Sequence, residues 1–179
     1  MAFLLSFFVL SYLIAGTFYF GNKIKNYSQI KDTISELAYT GSRYEKQVSF
    51  GLFFPVGIML VIIGFLANDN NHILGLASSL SIGYLVAAFF PCDPGSPSSG
   101  SWNQHLHNLG GFIEYAGSIF FIMKAAENDL SIGFIPFKII GYIVIVCIII
   151  TSIPKNPVRG LAQRIAELLL FTCLLWQLF

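Results

Sequence analysis

The sequence predicts an all-α fold, a polytopic bundle of about six transmembrane helices with one short interfacial helix in the first loop. Of its 179 residues, 55% are hydrophobic and only 11% are charged, whereas soluble domains carry about a quarter charged residues. The mean hydropathy is +0.72. The apolar residues also occur in runs of roughly 20, the length that a helix needs to cross a bilayer core of about 30 Å.

The predicted spans follow one another with little chain between them. No basic segment precedes the first run, which favours a transmembrane span over a signal peptide. The second run contains Pro55, which membrane helices tolerate. The loop between the third and fourth runs, residues 92–104, is rich in Pro, Gly and Ser. A single transmembrane domain over residues 1–179 is predicted, with spans at residues 2–20, 48–67, 73–91, 106–125, 134–153 and 160–179.

The basic residues are concentrated on one predicted membrane face. Because each span crosses once, the first, third and fifth loops share a face, and only Lys124 and Lys138 lie on the opposite one. The positive-inside rule then predicts that these three loops are cytoplasmic and that both termini lie outside. The basic residues of this face are Lys23, Lys25, Lys31, Arg43, Lys46, Lys155, Arg159 and Arg164.

Charge and cysteine content exclude two classes of site. The net charge is +1 and no basic stripe alternates with aromatic residues, so the sequence predicts no nucleic-acid partner. The cysteines are Cys92, Cys147 and Cys173, without a C-x-x-C spacing. This pattern argues against a disulfide framework or a cysteine zinc knuckle.

The long first loop carries the interfacial helix of the prediction. Thr33 and Glu36 fit the capping-box pattern that begins a helix, and Gly41 is a suitable C-terminal stop. Glu36 is therefore either a helix cap or part of a polar site, and the two roles are compatible. The apolar residues at helical spacing are Ile30, Ile34 and Leu37.

The densest polar cluster lies in the third loop and the helix after it. Asp93 begins a turn sequence and either caps that turn or contributes to a site. His105 and His107 point about 200° apart on a regular helix, so both bind one ion only if His105 lies in the loop. The simpler interpretation is that these histidines hydrogen-bond to neighbouring backbone, so no cofactor is predicted, and zinc with these two ligands is the alternative. His72 is excluded because it lies on the opposite face, about 30 Å away.

The fourth span contains an acidic residue within the predicted membrane region. Glu114 shares a helix stripe with His107 and several small residues, which predicts that the stripe faces the bundle interior. An intramembrane carboxyl group is either functional or a hydrogen-bonded structural acid. Near the start of the last span, Arg164 and Glu167 are three residues apart and are predicted to pair with each other.

Three short motifs carry a family resemblance. Together they resemble the domain-of-unknown-function 998 family of small bacterial and archaeal integral membrane proteins, from the first loop to the fourth span. More distantly, the first motif and the six-span plan resemble eukaryotic autophagy modulators and GPI-anchor remodelling factors, in which the first loop lies outside the cytosol. The motifs are Ile34-Ser35-Glu36-Leu37 with Gly41-Ser42 after it, Phe90-Pro91-Cys92-Asp93, and His107-Asn108-Leu109-Gly110.

The resemblance implies a prokaryotic inner membrane and no particular activity, and it marks Ser35, Glu36, Asp93 and His107. Together with the polar residues above, it leads to two sets of candidates. The candidate ligand-binding residues are Ser35, Glu36, Asp93 and Asn108. The candidate catalytic residues are Glu36, Asp93, His107 and Glu114.

Three functions remain open from the sequence, so whether the protein is an enzyme is also open. The first is a non-catalytic lipid-binding or scaffolding protein, with membrane lipids, a second copy or another membrane protein as partner. The second is a metal-dependent interfacial hydrolase, in which His105, His107 and Asp93 or Glu36 hold zinc. The third is a small transporter with Glu114 as a proton or cation relay.

Overall fold

The computed structural model describes residues 1–179 and is all-α apart from one two-stranded hairpin. Four of its helices are long and apolar enough to cross a membrane, which confirms the predicted class of helical membrane protein. The strands Ser131–Ile132 (β1) and Ile135–Pro136 (β2) pair antiparallel. The helices are α1 (Ala2–Lys23), α2 (Glu45–Val48), α3 (Phe54–Leu66), α4 (Asn71–Phe89), α5 (Trp102–Ala126), α6 (Phe137–Ser152) and α7 (Arg159–Gln177).

Helices α2 and α3 are parts of one membrane-length helix. A π-helical turn, Ser49–Phe53, joins them into a continuous segment, Glu45–Leu66. Gly51 lies in this turn, and its carbonyl oxygen accepts a hydrogen bond from the Tyr12 hydroxyl of α1. A π-helical turn leaves free some backbone carbonyl groups that a regular helix uses internally. Here the free carbonyl of Gly51 holds α1 against the Glu45–Leu66 helix.

Helix α4 lies at the centre of the bundle and packs against α3, α5 and α7. Asn70 begins it by accepting hydrogen bonds from the backbone N–H groups of His72 and Ile73, at 2.9 and 3.3 Å. The core around α4 includes the fully buried rings of Phe53 and Phe171. By contrast, α1 buries one stripe, while other apolar side chains such as Leu4, Phe8 and Phe18 are more than half exposed, as on a lipid-facing helix.

The two ends of the bundle are built from different loops, as the sequence predicts. The first, third and fifth loops meet at one end, where Thr40 N donates to Cys92 O at 2.8 Å and Leu161 N donates to Ile30 O at 2.9 Å. At the other end, the Asn128 amide lies 3.3 Å from the ring of His72. His72 therefore lies at the end of the bundle opposite the first, third and fifth loops, as predicted.

The first loop differs from its prediction. It contains only a single 3-10 turn, Ser35–Ala38, so the interfacial helix is not confirmed. The apolar spacing instead reflects packing, because Ile34 and Leu37 are buried in the core. The capping box is present, since Thr33 N donates to Glu36 Oε2 at 2.6 Å and Glu36 N donates to Thr33 Oγ1 at 3.4 Å.

Candidate functional site

A cavity of about 420 Å³ lies between α5, α6 and α7, near the end formed by the first, third and fifth loops. Helices α5 and α6 touch near their shared hairpin, where a Cβ atom added to Gly141 would lie 2.8 Å from Met123 Sδ. Nearer the other end, the cavity separates them. Phe112 and Ser152 line the cavity and are also exposed on the outside of the bundle. The cavity therefore opens to the outer surface between α5 and α6.

One wall of the cavity is formed by α5, whose Glu114 stripe packs on α4. Glu114 is buried, with 8% of its surface exposed, which confirms that the stripe faces inward. A Cβ atom added to Gly83 of α4 would lie 2.1 Å from Glu114 Oε2, so the carboxyl group occupies the space that this glycine leaves free. Gly110 also packs closely on α4, because a Cβ atom added there would lie 2.5 Å from Val86 Cγ1. Small residues on both helices thus admit a buried acid.

The carboxyl group of Glu114 lines a small pocket together with that of Glu167 on α7, and both residues are buried. The Glu167 carboxyl accepts hydrogen bonds from the hydroxyls of Tyr84, at 2.9 Å, and Tyr115, at 2.6 Å. Two carboxylate charges that lie close together in a buried site repel each other. The two acids form a buried polar centre between α5 and α7, in which two tyrosine hydroxyls donate to Glu167.

The predicted pairing of Arg164 with Glu167 is wrong. Arg164 instead donates to the backbone oxygen of Asp32 at 2.9 Å and to the hydroxyl of Tyr27. Burial raises the pKa of that tyrosine above its usual value, so it stays a neutral hydroxyl. Residues three apart on a helix are close, but Glu167 faces the tyrosines inside the bundle while Arg164 turns to the first loop. The three-residue spacing predicts only that the two side chains are close on the helix surface. Their actual partners come from the first loop and from neighbouring helices.

Gln163 ties the first loop to this network. Its side-chain oxygen accepts a hydrogen bond from Ile34 N at 2.7 Å, and its amide donates to the Tyr115 hydroxyl at 3.1 Å. Gln163, one turn before Glu167, is itself buried. The conformation of the first loop is thus coupled to the side chains that line the cavity.

Arg159 is a buried cation without a carboxylate partner. Only 7% of its surface is exposed, and it donates to the backbone oxygens of Gly95 at 2.9 Å and Ser96 at 3.1 Å. Its Nε atom is buried without a hydrogen-bond partner. The one salt bridge of the structure joins Lys124 to Glu127 at the other end of the bundle. The sequence pattern identifies Arg159 only as one of the basic residues on the predicted cytoplasmic face.

Asp93 lies beside the cavity and organises the third loop. Its carboxylate accepts hydrogen bonds from the backbone N and the hydroxyl of Ser101, each at 2.7 Å. These bonds hold the pKa of Asp93 below its usual value. Its backbone N donates to Gln104 Oε1 at 2.7 Å. Asp93 therefore joins the third loop to the start of α5, where Ser101 caps the helix.

The two histidines do not converge. His107 lines the cavity, and its Nδ1 lies 3.0 Å from Phe90 O, whereas His105 is exposed. Nowhere in the structure do three or more His, Cys, Asp or Glu side chains come together in an arrangement that could hold a metal ion. Zinc at His105 and His107 stays a prediction of the sequence alone.

The remaining candidates divide between the cavity and its surroundings. Asn108 lines the cavity, where it accepts from Gln104 Nε2 at 2.7 Å and donates to Ser98 O at 3.0 Å. Ser35 lines it from the first loop. Glu36 is engaged in the capping box. Of the sequence candidates, the cavity therefore brings together Ser35, His107, Asn108 and Glu114, while Glu36, Asp93 and His105 lie outside its lining.

Burial keeps the thiol of the third-loop cysteine protonated. Cys92 is fully buried, and burial raises its pKa to about 12. Its thiol lies 3.4 Å from Ser35 O. A thiol with such a pKa is not ionised near neutral pH, so Cys92 serves as a packing residue between the first and third loops.

Comparisons with known proteins give one match. No curated protein and no solved structure matches the chain significantly. The sequence profile of a family described as proteins of unknown function (DUF998) matches residues 7–178, which includes the three motifs of the first loop, the third loop and α5. The chain therefore belongs to the DUF998 family of proteins of unknown function.

Proposed function

We propose that this protein is a six-span membrane protein that binds a lipid in the cavity between α5, α6 and α7. One observation carries the proposal: a cavity with a polar inner end opens sideways through an apolar rim. The rim is formed by Phe112 and Ile119 of α5 and Ile148 of α6, and Phe112 is 69% exposed. The inner end carries His107 and Asn108. An amphiphile matches this division of polar and apolar surface.

The proposal requires α6 and α7 to cross the membrane with the other four. Helix α6 has 16 residues, which span roughly 24 Å, and a bilayer adapts to a short span at modest cost. Helix α7 carries Arg159, Gln163 and Glu167, yet all three are buried against the bundle. Its lipid-facing side is apolar, so its polar residues are no obstacle to crossing.

The charge distribution supports an orientation for these six spans. Loops one, three and five hold most Lys and Arg residues and meet at one end of the structure. We propose that this end is cytoplasmic and that the membrane is a prokaryotic inner membrane. The polar end of the cavity then lies in the cytoplasmic leaflet.

A glycine in the cavity offers the test. Gly111 lines the cavity, and a Cβ atom added there meets no other atom within 4 Å. Gly111→Trp should therefore fill the cavity without disturbing the helices around it. Gly51 is the matched control, because an added Cβ atom there also meets nothing within 4 Å, on the outside of the bundle.

The readout is photolabelling in liposomes by a phospholipid that carries a diazirine on its acyl chain. Labelled peptides should come from α5 and α6 around Phe112 and Ile148 in the wild type and in Gly51→Trp. Labelling of these peptides should fall at least fivefold in Gly111→Trp. Equal labelling in all three proteins would show lipid on the outer surface only and would refute the proposal.

A second candidate function, a proton-coupled transporter, is favoured by the buried carboxyl groups of Glu114 and Glu167, which line one pocket. Neighbouring acids inside a membrane are suitable for a proton relay. In proteoliposomes, Glu114→Gln should remove any pH-driven flux. If the wild type carries no proton current across an imposed pH gradient, the lipid-binding function stands without transport. The metal-dependent hydrolase gains no support from the positions of His105 and His107.

A further inference from the structure

The geometry points to Arg159 as a binding site for an anionic group, a phosphate or a carboxylate, at the polar end of the cavity. This inference deepens the proposed function, on which it rests, by assigning the charge of the lipid headgroup. Arg159 is the buried guanidinium at the start of α7, where the third and fifth loops close over the cavity.

Arg159 has hydrogen-bonding capacity left. A guanidinium has five N–H donors, and the two bonds of Arg159 go to the backbone oxygens of Gly95 and Ser96. The Nε atom is buried and has no partner. Neutral carbonyl groups fix the direction of the side chain, but they leave its charge without an anion. A buried charge without a partner is unfavourable, whereas the fork of a guanidinium binds phosphate or carboxylate through two parallel hydrogen bonds.

The acids near Arg159 have other partners. Asp93 is bonded to Ser101, and Glu36 is bonded to Thr33. Glu114 lines the same cavity, but its carboxyl group fills the space beside Gly83 of α4. Glu167 is eight residues after Arg159 on α7, which is roughly 12 Å along the helix axis. No carboxylate of the chain comes within salt-bridge distance of Arg159.

Further polar groups lie at the same end of the cavity. Ser96, Ser98, His107 and Asn108 all line it there. Hydroxyl, imidazole and amide groups donate hydrogen bonds to phosphate and carboxylate oxygens. An anionic group at Arg159 would thus meet several donors, as headgroup sites in basic pockets between transmembrane helices do.

The apolar rim favours a lipid over a free anion as the source of this group. Phe112, Ile119 and Ile148 lead from the outer surface to the polar end. The end of the bundle that holds the cavity also carries most of the basic residues. Basic residues at a membrane surface attract anionic lipids.

The test compares two photoactivatable lipids that share acyl chains, one with a phosphatidylglycerol and one with a phosphatidylcholine headgroup. In liposomes of the wild type, cavity labelling by the anionic lipid should exceed that by the zwitterionic lipid about tenfold. Arg159→Gln should reduce this ratio to about one, while labelling by the zwitterionic lipid remains. Lys155→Gln is the matched control, because it removes an exposed charge from the same loop and should keep the wild-type ratio.

The outcomes separate the two proposals. A wild-type ratio near one, or a wild-type ratio in Arg159→Gln, would overturn the anion site. The wild-type ratio tests the anion site even if the Arg159→Gln protein does not fold. Lipid binding itself is tested by Gly111→Trp, so an anion site can fail while lipid binding stands. Addition of millimolar inorganic phosphate distinguishes the sources: loss of anionic-lipid labelling assigns Arg159 to a free anion, and retention assigns it to the headgroup.

Discussion

The two ends of the bundle use polar residues in opposite ways. At the end with the β-hairpin, Lys124 and Glu127 form an exposed salt bridge, with side chains 46% and 65% exposed. At the other end, Arg159, Gln163 and Glu167 are buried on one face of α7. Exposed pairs add little to stability, whereas buried polar groups depend on every partner. The second end therefore contains the buried polar residues on which the proposed site depends, whereas the first end carries an exposed ion pair.

The largest expected effect comes from the carboxyl network. Glu167→Ala removes the acceptor of Tyr84 and Tyr115 and leaves both hydroxyl donors without it, so the free energy of unfolding should fall by about 3 kcal/mol. At the other end, Glu127→Ala should cost less than about 0.5 kcal/mol. Unfolding in detergent, followed by tryptophan fluorescence, measures both. Equal losses at the two ends would remove the contrast between them.

A close approach between the first loop and α7 is expected to give the next largest effect. A Cβ atom added to Gly160 would lie 2.2 Å from the backbone oxygen of Asp32, so Gly160→Ala must displace the loop. We expect a loss of about 2 kcal/mol, typical of overpacking. Gly111→Ala, which meets no atom, should gain up to about 1 kcal/mol from helix propensity. A neutral Gly160→Ala variant would mean that the loop is not held against α7.

Gln163→Ala should act on the first loop with a smaller effect. It leaves the buried N–H of Ile34 without its acceptor, which should cost about 1 kcal/mol. Hydrogen exchange of loop residues 30–38 should accelerate, while exchange in α3 stays unchanged. Asn128→Ala, at the other end, is the control and should leave exchange in the first loop at the wild-type rate. Unaltered exchange in the Gln163 variant would contradict the coupling of loop and cavity.

The smallest expected effect is the pH dependence of Asp93. Because its hydrogen bonds to Ser101 lower its folded-state pKa, its contribution is present above the unfolded pKa of about 3.9 and is lost as pH falls through the folded value. The melting temperature of the wild type should therefore exceed that of Asp93→Asn at neutral pH, and the two should converge in acid. A difference that is independent of pH would show that the carboxylate charge has no part in holding the third loop.

Local sequence patterns predicted the parts of the structure that depend on neighbours in the chain. The all-α class, the capping box of Thr33 and Glu36, the inward position of Glu114 and the shared end of three loops all follow from composition, spacing and span order. The partners of Arg164 and Glu167 did not, because they come from the first loop, α4 and α5. Helical spacing carries no information on which neighbouring helix faces a residue.

The cavity could not be predicted from the sequence either, because it depends on how two helices pack. It exists because α5 and α6 touch at Gly141 and Met123 and separate toward the other end. The burial of Arg159 depends on the third loop, whose carbonyl oxygens receive its N–H groups from more than sixty positions away. The one signal available in the sequence was a basic residue directly at the start of an otherwise apolar last helix.

Native mass spectrometry of the protein extracted in a mild detergent tests the central claim most directly. We predict that the wild type and Gly51→Trp retain about one phospholipid per chain, enriched in anionic headgroups, and that Gly111→Trp retains none. Lipid adducts of the same number and headgroup on Gly111→Trp, or a wild type that carries no lipid, would contradict a lipid site between α5, α6 and α7.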